Sequence, residues 1–311
     1  MQELKVFEAF AGYGGASFGL KKAGIPHKVI GFSENDKFAV ELYEANHPET
    51  RNFGDISKIN TLEIPDFDLF TGGFPCQPFS SVGLGKGEDD TRGTLFHDIL
   101  RICEAKKPNH VLLENVKGLL TKKHGKTFST IVSKLEEIGY TVSPALLNSK
   151  DYGIPQNRER VWIYGSLENR KVKLELKKQK LNRFFKDFLD VIPDEQLFKN
   201  QNQVIRLKEL YNLDFNVSEP SCADLYNRTI RADGICITIL EPHHNKLRVV
   251  HPPVAGLYRV RKLSITEHFR LMGFKDGEII TCNQSYQQLC KRAANGWDIN
   301  ITSKIFKEIF K

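Results

Sequence analysis

The sequence predicts an α/β protein with a doubly wound, mostly parallel sheet and a second, smaller and irregular domain. Over the first 165 residues, short apolar runs alternate with amphipathic stretches, which is the rhythm of strand–helix–strand units. That rhythm stops near residue 166, where Lys, Asn and Asp become frequent and prolines interrupt any long helix. The length of 311 residues, about twice that of an ordinary domain, allows one large domain with a satellite.

The elements of the first domain are predicted from its apolar runs in chain order. Strands are predicted at 5–10, 27–34, 67–73, 110–116 and 160–166, and helices at 17–24, 37–47, 95–107 and 127–140. The second region has β-like runs at 234–240 and 246–250. Helical periodicity returns at 264–274 and 299–310, which suggests that the C-terminus packs back on the first domain.

Composition excludes several classes of protein. With 40% hydrophobic and 27% charged residues the chain can bury a core, and no apolar run approaches the roughly 20 residues of a membrane span. Six scattered cysteines without a CxxC pair favour neither a disulfide scaffold nor a zinc site, so we expect a metal-free cytoplasmic protein with reduced thiols. The net charge is +7, and the run 170–186 indicates either nucleic-acid contact or a solvated basic surface.

A glycine-rich turn, FEAFAGYGG, follows the first strand and opens the first helix. Its glycines allow a tight turn and the close approach of a ligand, but Ser17 stands where a dinucleotide fingerprint has its third glycine. Glu34 ends the second strand, where it could bond ribose hydroxyls, and Asp55 could accept from an adenine amino group. Together these residues predict a nucleoside pocket that suits S-adenosylmethionine, and an ordinary strand–helix turn is the alternative.

A cysteine lies in the segment GGFPCQPFS, directly after the strand predicted at 67–73. Open α/β sheets bind ligands at this carboxyl edge, so Cys76 is a candidate nucleophile, with inert packing as the alternative. Glu114 ends the next strand, and Arg158 and Arg160 precede another. A thiolate, a carboxyl and a guanidinium at one edge are the groups needed to add to an electron-poor ring and hold it.

These segments resemble the motifs of DNA (cytosine-5)-methyltransferases of the bacterial or phage type. The resemblance covers most of the catalytic domain in order: FAGYGG, Glu34, GDI, GGFPCQPFS, RGTLF, LLENV and DYGIPQNRERVW, then RKLS, RLMGF and AANG near the end. It implies the Rossmann-like fold of class I S-adenosylmethionine-dependent methyltransferases. Residues 1–165 and 285–311 would then form the catalytic and cofactor-binding domain, and 166–284 a small target-recognition domain. One departure is the segment 294–297, Ala-Asn-Gly-Trp, where the family has Gly-Asn.

The resemblance also implies a mechanism. Cys76 adds to carbon-6 of a flipped-out cytosine in a specific double-stranded DNA sequence, and carbon-5 then takes a methyl group from S-adenosylmethionine, which becomes S-adenosylhomocysteine. Glu114 would hold N3 and the exocyclic amine, and Arg160 would hold O2 with support from Arg158. The Gly-rich segment 81–92 would close over the DNA as a lid, or be an ordinary solvated loop.

The resemblance and the pattern together give a set of binding residues. We expect the cofactor to be bound by Phe10, Ala11, Gly12, Tyr13, Gly14, Gly15, Glu34, Asn35, Asp55, Ile56, Gly73, Pro75, Leu95 and Asn295. We expect DNA to be bound by Ser80, Ser81, Lys86, Arg92, Arg228, Arg231 and Thr238. Thr238 could instead be a plain strand threonine. Base reading is expected within 227–245.

The expected setting is that of a monomer acting on double-stranded DNA, with a restriction endonuclease as a separate companion and no membrane contact. Three alternatives stay open. An RNA (tRNA) cytosine-5 methyltransferase has similar catalytic motifs, and a non-catalytic DNA-binding relative would have lost them. A nicotinamide oxidoreductase is disfavoured by the missing third glycine and by the Pro-Cys-Gln segment.

Overall fold

The computed structural model describes residues 2–75, 95–121, 125–168 and 172–311. The strands are β1 (Leu4–Ala9), β2 (His27–Ser33), β3 (Leu69–Gly72), β4 (His110–Val116), β5 (Thr141–Asn148), β6 (Gln156–Asn157), β7 (Glu159–Ser166), β8 (Ser221–Asp224), β9 (Thr229–Arg231), β10 (Cys236–Ile237), β11 (Leu247–Val254) and β12 (Leu257–Arg261). The helices are α1 (Gly15–Ala23), α2 (Lys37–Asn46), α3 (Leu95–Lys106), α4 (Gly125–Glu137), α5 (Gln201–Tyr211), α6 (Ile265–Arg270), α7 (Tyr286–Asn295) and α8 (Ile299–Ile309).

The largest sheet has six strands in the order β2-β1-β3-β4-β7-β5. Strand β1 is parallel to β2 and β3, and β3 is parallel to β4, whereas β7 runs antiparallel to β4. The predicted mostly parallel α/β class is therefore confirmed. Since carboxyl ends of parallel strands share one edge, the ends of β1 to β4 and the beginning of β7 converge there. Candidate residues of the site lie along this edge.

The helices of this sheet begin and end where local chemistry favours it. The Asp36 carboxylate accepts the backbone N–H groups of Phe38 at 3.0 Å and Ala39 at 3.4 Å, which caps α2. Helix α1 ends at Gly24, whose φ of 76° suits glycine. Apolar side chains of α3 and α4, among them Ile99 and Leu135, pack with β4 residues such as Val111 in one core cluster. This packing holds β4, whose carboxyl end belongs to the edge of the site.

Contacts divide the chain into two compact units. The first holds residues 1–147, 159–177 and 301–311, and the second holds 148–158 and 178–300. In the second unit a four-stranded sheet, β12-β11-β8-β9, packs Val250 and Val260 against Val204 of α5. Segments 148–158 and 285–300 group with this unit because β6 pairs with β10 and α7 packs on α6. The predicted domain boundaries differ from these units at three segments, 148–158, 166–177 and 285–300, and the functional meaning of the domains stays a prediction.

Candidate functional site

The glycine-rich turn after β1 has an unusual backbone. Phe10, Gly12 and Gly14 all have positive φ, at 51°, 58° and 84°. A Cβ on Gly14 would lie 2.1 Å from Nε2 of His47, so only glycine fits there. A Cβ on Gly12 would meet no atom within 4 Å. The turn therefore faces open space at Gly12, as a ligand cradle requires.

The Glu34 carboxylate is fixed by backbone N–H groups beside this turn. Its Oε2 accepts from the Gly12 N–H at 3.1 Å, and its Oε1 accepts from Asn35 at 2.9 Å and Asp36 at 3.0 Å. Ala11 donates its N–H to the Ser33 carbonyl at 3.3 Å. These bonds join the end of β2 to the turn after β1 and hold a charged acceptor at the sheet edge.

The second acid predicted for the nucleoside pocket, Asp55, precedes a short 3₁₀ turn. It accepts the backbone N–H of Ser57 at 3.0 Å and the Ser57 hydroxyl at 2.8 Å, and these bonds lower the pKa of Asp55. The carboxylate is therefore charged at neutral pH and can accept from an amino group. Ile56 is buried in the core, and Phe10 and Leu95 pack against the same cluster, so these three support the edge from inside.

Two ionisable residues beneath the turn, buried Glu8 and half-buried His47, were not predicted as part of the site. Glu8, 2% exposed on β1, accepts the Ser17 N–H at 2.8 Å and so caps α1 from a neighbouring strand. His47 Nε2 lies 3.3 Å from the Tyr13 carbonyl, and burial lowers the pKa of His47 to about 4. Both residues fix the backbone of the turn. The signal in the sequence was a glutamate inside an otherwise apolar strand.

Replacement of Glu8 by glutamine should flatten the pH dependence of stability. Burial raises the pKa of Glu8 to about 8 against an ordinary value of 4.5. Between these values the folded chain holds a proton that the unfolded chain has lost, so the free energy of unfolding falls as pH rises through this window. Glu8→Gln keeps the acceptor for Ser17 and removes this loss.

The measurement is thermal unfolding of both proteins from pH 5 to pH 8.5. The difference in melting temperature should grow with pH in favour of the variant. Glu3→Gln, an exposed glutamate just before the same strand, is the matched control and should follow the wild type. Parallel curves for wild type and Glu8→Gln would show that Glu8 is already ionised in the fold.

Glu114 and Arg160 form a nearly buried ion pair at the same edge. Arg160 Nε donates to Glu114 Oε1 at 2.8 Å, and the side chains are 15% and 10% exposed. The antiparallel register pairs Glu114 with Trp162, so Arg160 lies on the same face two residues away. Arg160 Nη1 also donates to the Glu159 carbonyl at 2.9 Å. The two residues predicted to hold a base are therefore brought together as an ion pair.

The neighbouring Asn115 connects this strand to the segment that leads to the predicted nucleophile. Its Nδ2 donates to the Phe74 carbonyl at 2.9 Å, while Gly73 is half-buried and Pro75 is exposed. The sequence predicted no role for Asn115, which lies in the LLENV segment. Cys76, Ser80, Ser81, Lys86, Arg92 and the predicted lid 81–92 lie outside the described residues.

Arg158, predicted beside the catalytic groups, has a different setting from Arg160. It is 2% exposed, and its Nη2 donates to the carbonyls of Ala294 at 3.0 Å and Gly296 at 2.8 Å. These bonds hold the end of α7, where Asn295 donates to Glu241 Oε1 at 2.6 Å. The geometry favours a positioning role for Arg158. The cofactor contact of Asn295 stays a prediction.

Thr238 is hydrogen-bonded within the second unit. Its hydroxyl donates to the Asn157 carbonyl at 2.6 Å, next to the parallel pairing of β10 with β6. Fully buried Gln156 accepts the Ile239 N–H at 3.0 Å and donates to the Leu271 carbonyl at 2.8 Å. Thr238 lies directly after β10 and not inside a strand, and its bond to Asn157 gives it a structural role, while its contact with the DNA backbone stays a prediction. The arrangement also identifies Gln156 as a structural link that the sequence did not reveal.

The predicted DNA-reading arginines lie on or near the β8–β9 hairpin. Arg228 is exposed with a φ of 54°, whereas the Arg231 guanidinium is bonded to the Asp233 carboxylate. In the basic run, Lys178 pairs with Asp151 at 2.8 Å and Lys186 with Glu219 at 2.6 Å. These pairings favour the solvated-surface alternative for that part of the run.

In the described ranges, no helix is both long and apolar enough to cross a membrane.

Comparison with known proteins identifies the family. The model for C-5 cytosine-specific DNA methylases matches residues 4–311. Type II methyltransferase M.HaeII of Haemophilus aegyptius is 37% identical over 98% of this chain and 92% of its own. Type II methyltransferase M.NlaX of Neisseria lactamica is also 37% identical, over 92% of this chain and 90% of its own. These matches span both contact units.

Solved structures agree on the fold. A Spodoptera frugiperda DNMT2 variant superposes with a TM-score of 0.76 at 17% identity, covering 99% of this chain and 100% of its own. A putative prophage-encoded DNA modification methyltransferase of Escherichia coli gives 0.71 at 20% identity, covering 99% of both chains. At these identities the structures support the class I methyltransferase fold alone. Family model and relatives together show that the chain belongs to the C-5 cytosine-specific DNA methylase family and is a DNA (cytosine-5)-methyltransferase.

Proposed function

We propose that the protein methylates carbon-5 of a flipped-out cytosine in a specific double-stranded DNA sequence, using S-adenosylmethionine. The observation that carries this proposal is the Glu114–Arg160 pair, held 2.8 Å apart where β4 ends. The segment leading to Cys76 is tied to the same strand by the Asn115–Phe74 hydrogen bond. Since a stacked base cannot reach such a site, the target nucleotide must leave the duplex.

The chain's own residues would do the following. The Cys76 thiolate forms a bond to carbon-6, and the ring gains electron density at carbon-5 and N3. Glu114, with a proton taken from solvent, donates to N3 as that density rises and accepts from the exocyclic amine, while Arg160 holds O2. S-adenosylmethionine, when bound, supplies the methyl group from its sulfonium. Loss of the carbon-5 proton to water and expulsion of the Cys76 thiolate then restore the aromatic ring.

The residues of the first unit fit the nucleoside part of that cofactor. Open space at Gly12 admits a ligand, Glu34 offers a fixed carboxylate for ribose hydroxyls, and charged Asp55 can accept from the adenine amino group. Of the residues predicted to bind it, Ala11, Tyr13, Gly15 and Asn35 belong to the same turn or the same carboxylate network.

Replacement of Glu34 by glutamine should weaken cofactor binding about 10- to 100-fold. Loss of a charge-assisted hydrogen bond costs roughly 1.5–3 kcal/mol, which corresponds to that change in the dissociation constant. Calorimetric titration with S-adenosylhomocysteine measures it, and DNA affinity should stay nearly constant. Glu44→Gln, an exposed glutamate of α2, is the control. If Glu34→Gln binds cofactor as tightly as the control, Glu34 is not a ribose ligand.

The relatives named Type II methyltransferases support a further proposal, that a restriction endonuclease of the same sequence specificity acts separately beside a monomeric methylase. The test of the whole function is methyl transfer to plasmid DNA and to tRNA, followed by bisulfite sequencing of the product. We expect 5-methylcytosine at one recurring DNA sequence. Transfer to tRNA but not to DNA would replace this proposal with the RNA alternative.

A further inference from the structure

A pocket of positive charge lies in the second unit, where Arg248 of β11 pairs with Ala223 of β8. Its volume is about 140 Å³, well above the roughly 30 Å³ share of one water molecule. Arg248 and Lys262 line it together with His243, Asn245, Tyr286 and Gln287. None of the described residues that line it is acidic. Exposed Lys262, His243 and Gln287 keep it open to solvent.

The two cations of this pocket are cross-strand neighbours on one face of a β-sheet. Strands β11 and β12 are antiparallel, and their register pairs Val249 with Arg261, so Arg248 stands opposite Lys262 on one face. Like charges directly opposite each other destabilise a sheet. A third cation, Lys199, lies on the neighbouring segment, where its backbone N–H donates to the Val260 carbonyl at 2.9 Å. Burial and the charges of Arg248 and Lys262 lower the pKa of Lys199.

No described carboxylate neutralises this cluster. The Arg248 Nη1 donates to the carbonyls of Asn245 at 3.2 Å and Leu247 at 2.6 Å, while its Nε is shielded from solvent and has no partner in the described chain. The Lys262 ammonium lies 5.6 Å from the Tyr286 ring, and no described acid pairs with it. Glu267, close in sequence, has both oxygens engaged by Arg261.

A partly buried arginine with uncompensated charge is costly unless an anion completes the site. We propose that the pocket lined by Arg248 and Lys262, with Lys199 nearby, binds a phosphate of the DNA backbone. The planar guanidinium suits phosphate oxygens, and the two ammonium groups add charge without reading sequence. This inference rests on the proposed function, because it requires a duplex DNA substrate. Arg248, Lys262 and Lys199 lie outside 227–245, the stretch expected to read bases, and are assigned an anchoring role. His243 and Asn245, at the rim of the pocket, lie inside that stretch.

The test compares Arg248→Gln, Lys262→Gln and, as a control of equal charge change, Arg206→Gln on exposed α5. DNA affinity is measured at several salt concentrations on cognate and scrambled duplexes. Each lost phosphate contact should lower the slope of log affinity against log salt by about 0.9. The loss of affinity between 50 and 200 mM salt should shrink about three- to fourfold, equally on both duplexes, while the control keeps the wild-type slope.

Folding is checked by thermal unfolding, and Arg248→Lys should restore much of the slope if charge is what matters. Lys262→Gln, at an exposed position, keeps the test valid should Arg248→Gln not fold. If the wild type methylates DNA but both variants keep its salt slope, the phosphate site is wrong and the proposed function stands. If the wild type does not methylate DNA, the proposed function itself is wrong. If inorganic phosphate stabilises the wild type but not Arg248→Gln and the DNA slopes do not change, the site binds a free anion and the DNA assignment is wrong.

Discussion

Replacement of Cys76 by alanine should abolish methyl transfer while the protein still binds DNA and cofactor. The family's chemistry requires a covalent bond to carbon-6 before carbon-5 can accept a methyl group, and alanine offers no nucleophile. A duplex carrying 5-fluorocytosine at the target position makes the test direct. Fluorine cannot leave as a proton does, so the wild type should be trapped on the DNA and appear as a band resistant to denaturant.

The matched control is Cys282→Ala. Cys282 is half-buried, whereas Cys103, Cys222, Cys236 and Cys290 are buried thiols, so its removal tests for non-specific thiol chemistry. The control should methylate DNA and form the adduct like the wild type. A trapped adduct in Cys76→Ala would mean that another residue is the nucleophile.

Replacement of Glu114 by glutamine should lower the rate of methyl transfer at least about 100-fold, the usual range for loss of a positioned acid–base group. The side chain is nearly isosteric, but glutamine cannot give a proton to N3 and removes the carboxylate that pairs with Arg160. Single-turnover rates at saturating cofactor measure the effect. Breaking a nearly buried pair also costs stability, up to about 3–5 kcal/mol, so the melting temperature should fall.

Glu159→Gln separates the two effects. Glu159 is the neighbour of Arg160 in β7, and its carboxylate pairs with Lys117 at 2.8 Å in a much more exposed setting. A surface pair of this kind contributes about 0–1 kcal/mol, so this control should keep nearly all activity and stability. A Glu114→Gln protein with near wild-type rates would show that Glu114 supports the fold without meeting the base.

The sequence predicted the elements of the first unit well where the apolar runs were continuous. Strand β4 has its predicted bounds, and α2 and α3 end within one residue of theirs. Strand β5 was missed because Pro144 interrupts its pattern, which an edge strand tolerates since a proline can face away from the ladder. Helix α5 was missed because only Val204 of its residues is buried, so its apolar stripe is too weak to see.

The order of the strands along the chain was enough to predict which residues lie at the edge of the site. Glycines, acids and arginines that follow or precede strands could be placed at one edge, because parallel strands end together. Partners that are distant in sequence could not be placed. The two arginines of QNRER differ only by position, yet Arg158 bonds to carbonyls of 294 and 296, while Arg160 pairs with Glu114. Only the tertiary fold distinguishes them.

Gln156 sets a condition on engineering this protein. Its side-chain amide is fully buried and satisfied by the backbone of Ile239 and Leu271, both within the region 166–284 that would be exchanged to change sequence preference. A grafted region would have to present an N–H and a carbonyl at the same two places, or leave a buried amide unpaired at a cost of about 1–3 kcal/mol. Chimeras should therefore be joined before residue 156 rather than at 166, so that donor segments bring their own glutamine.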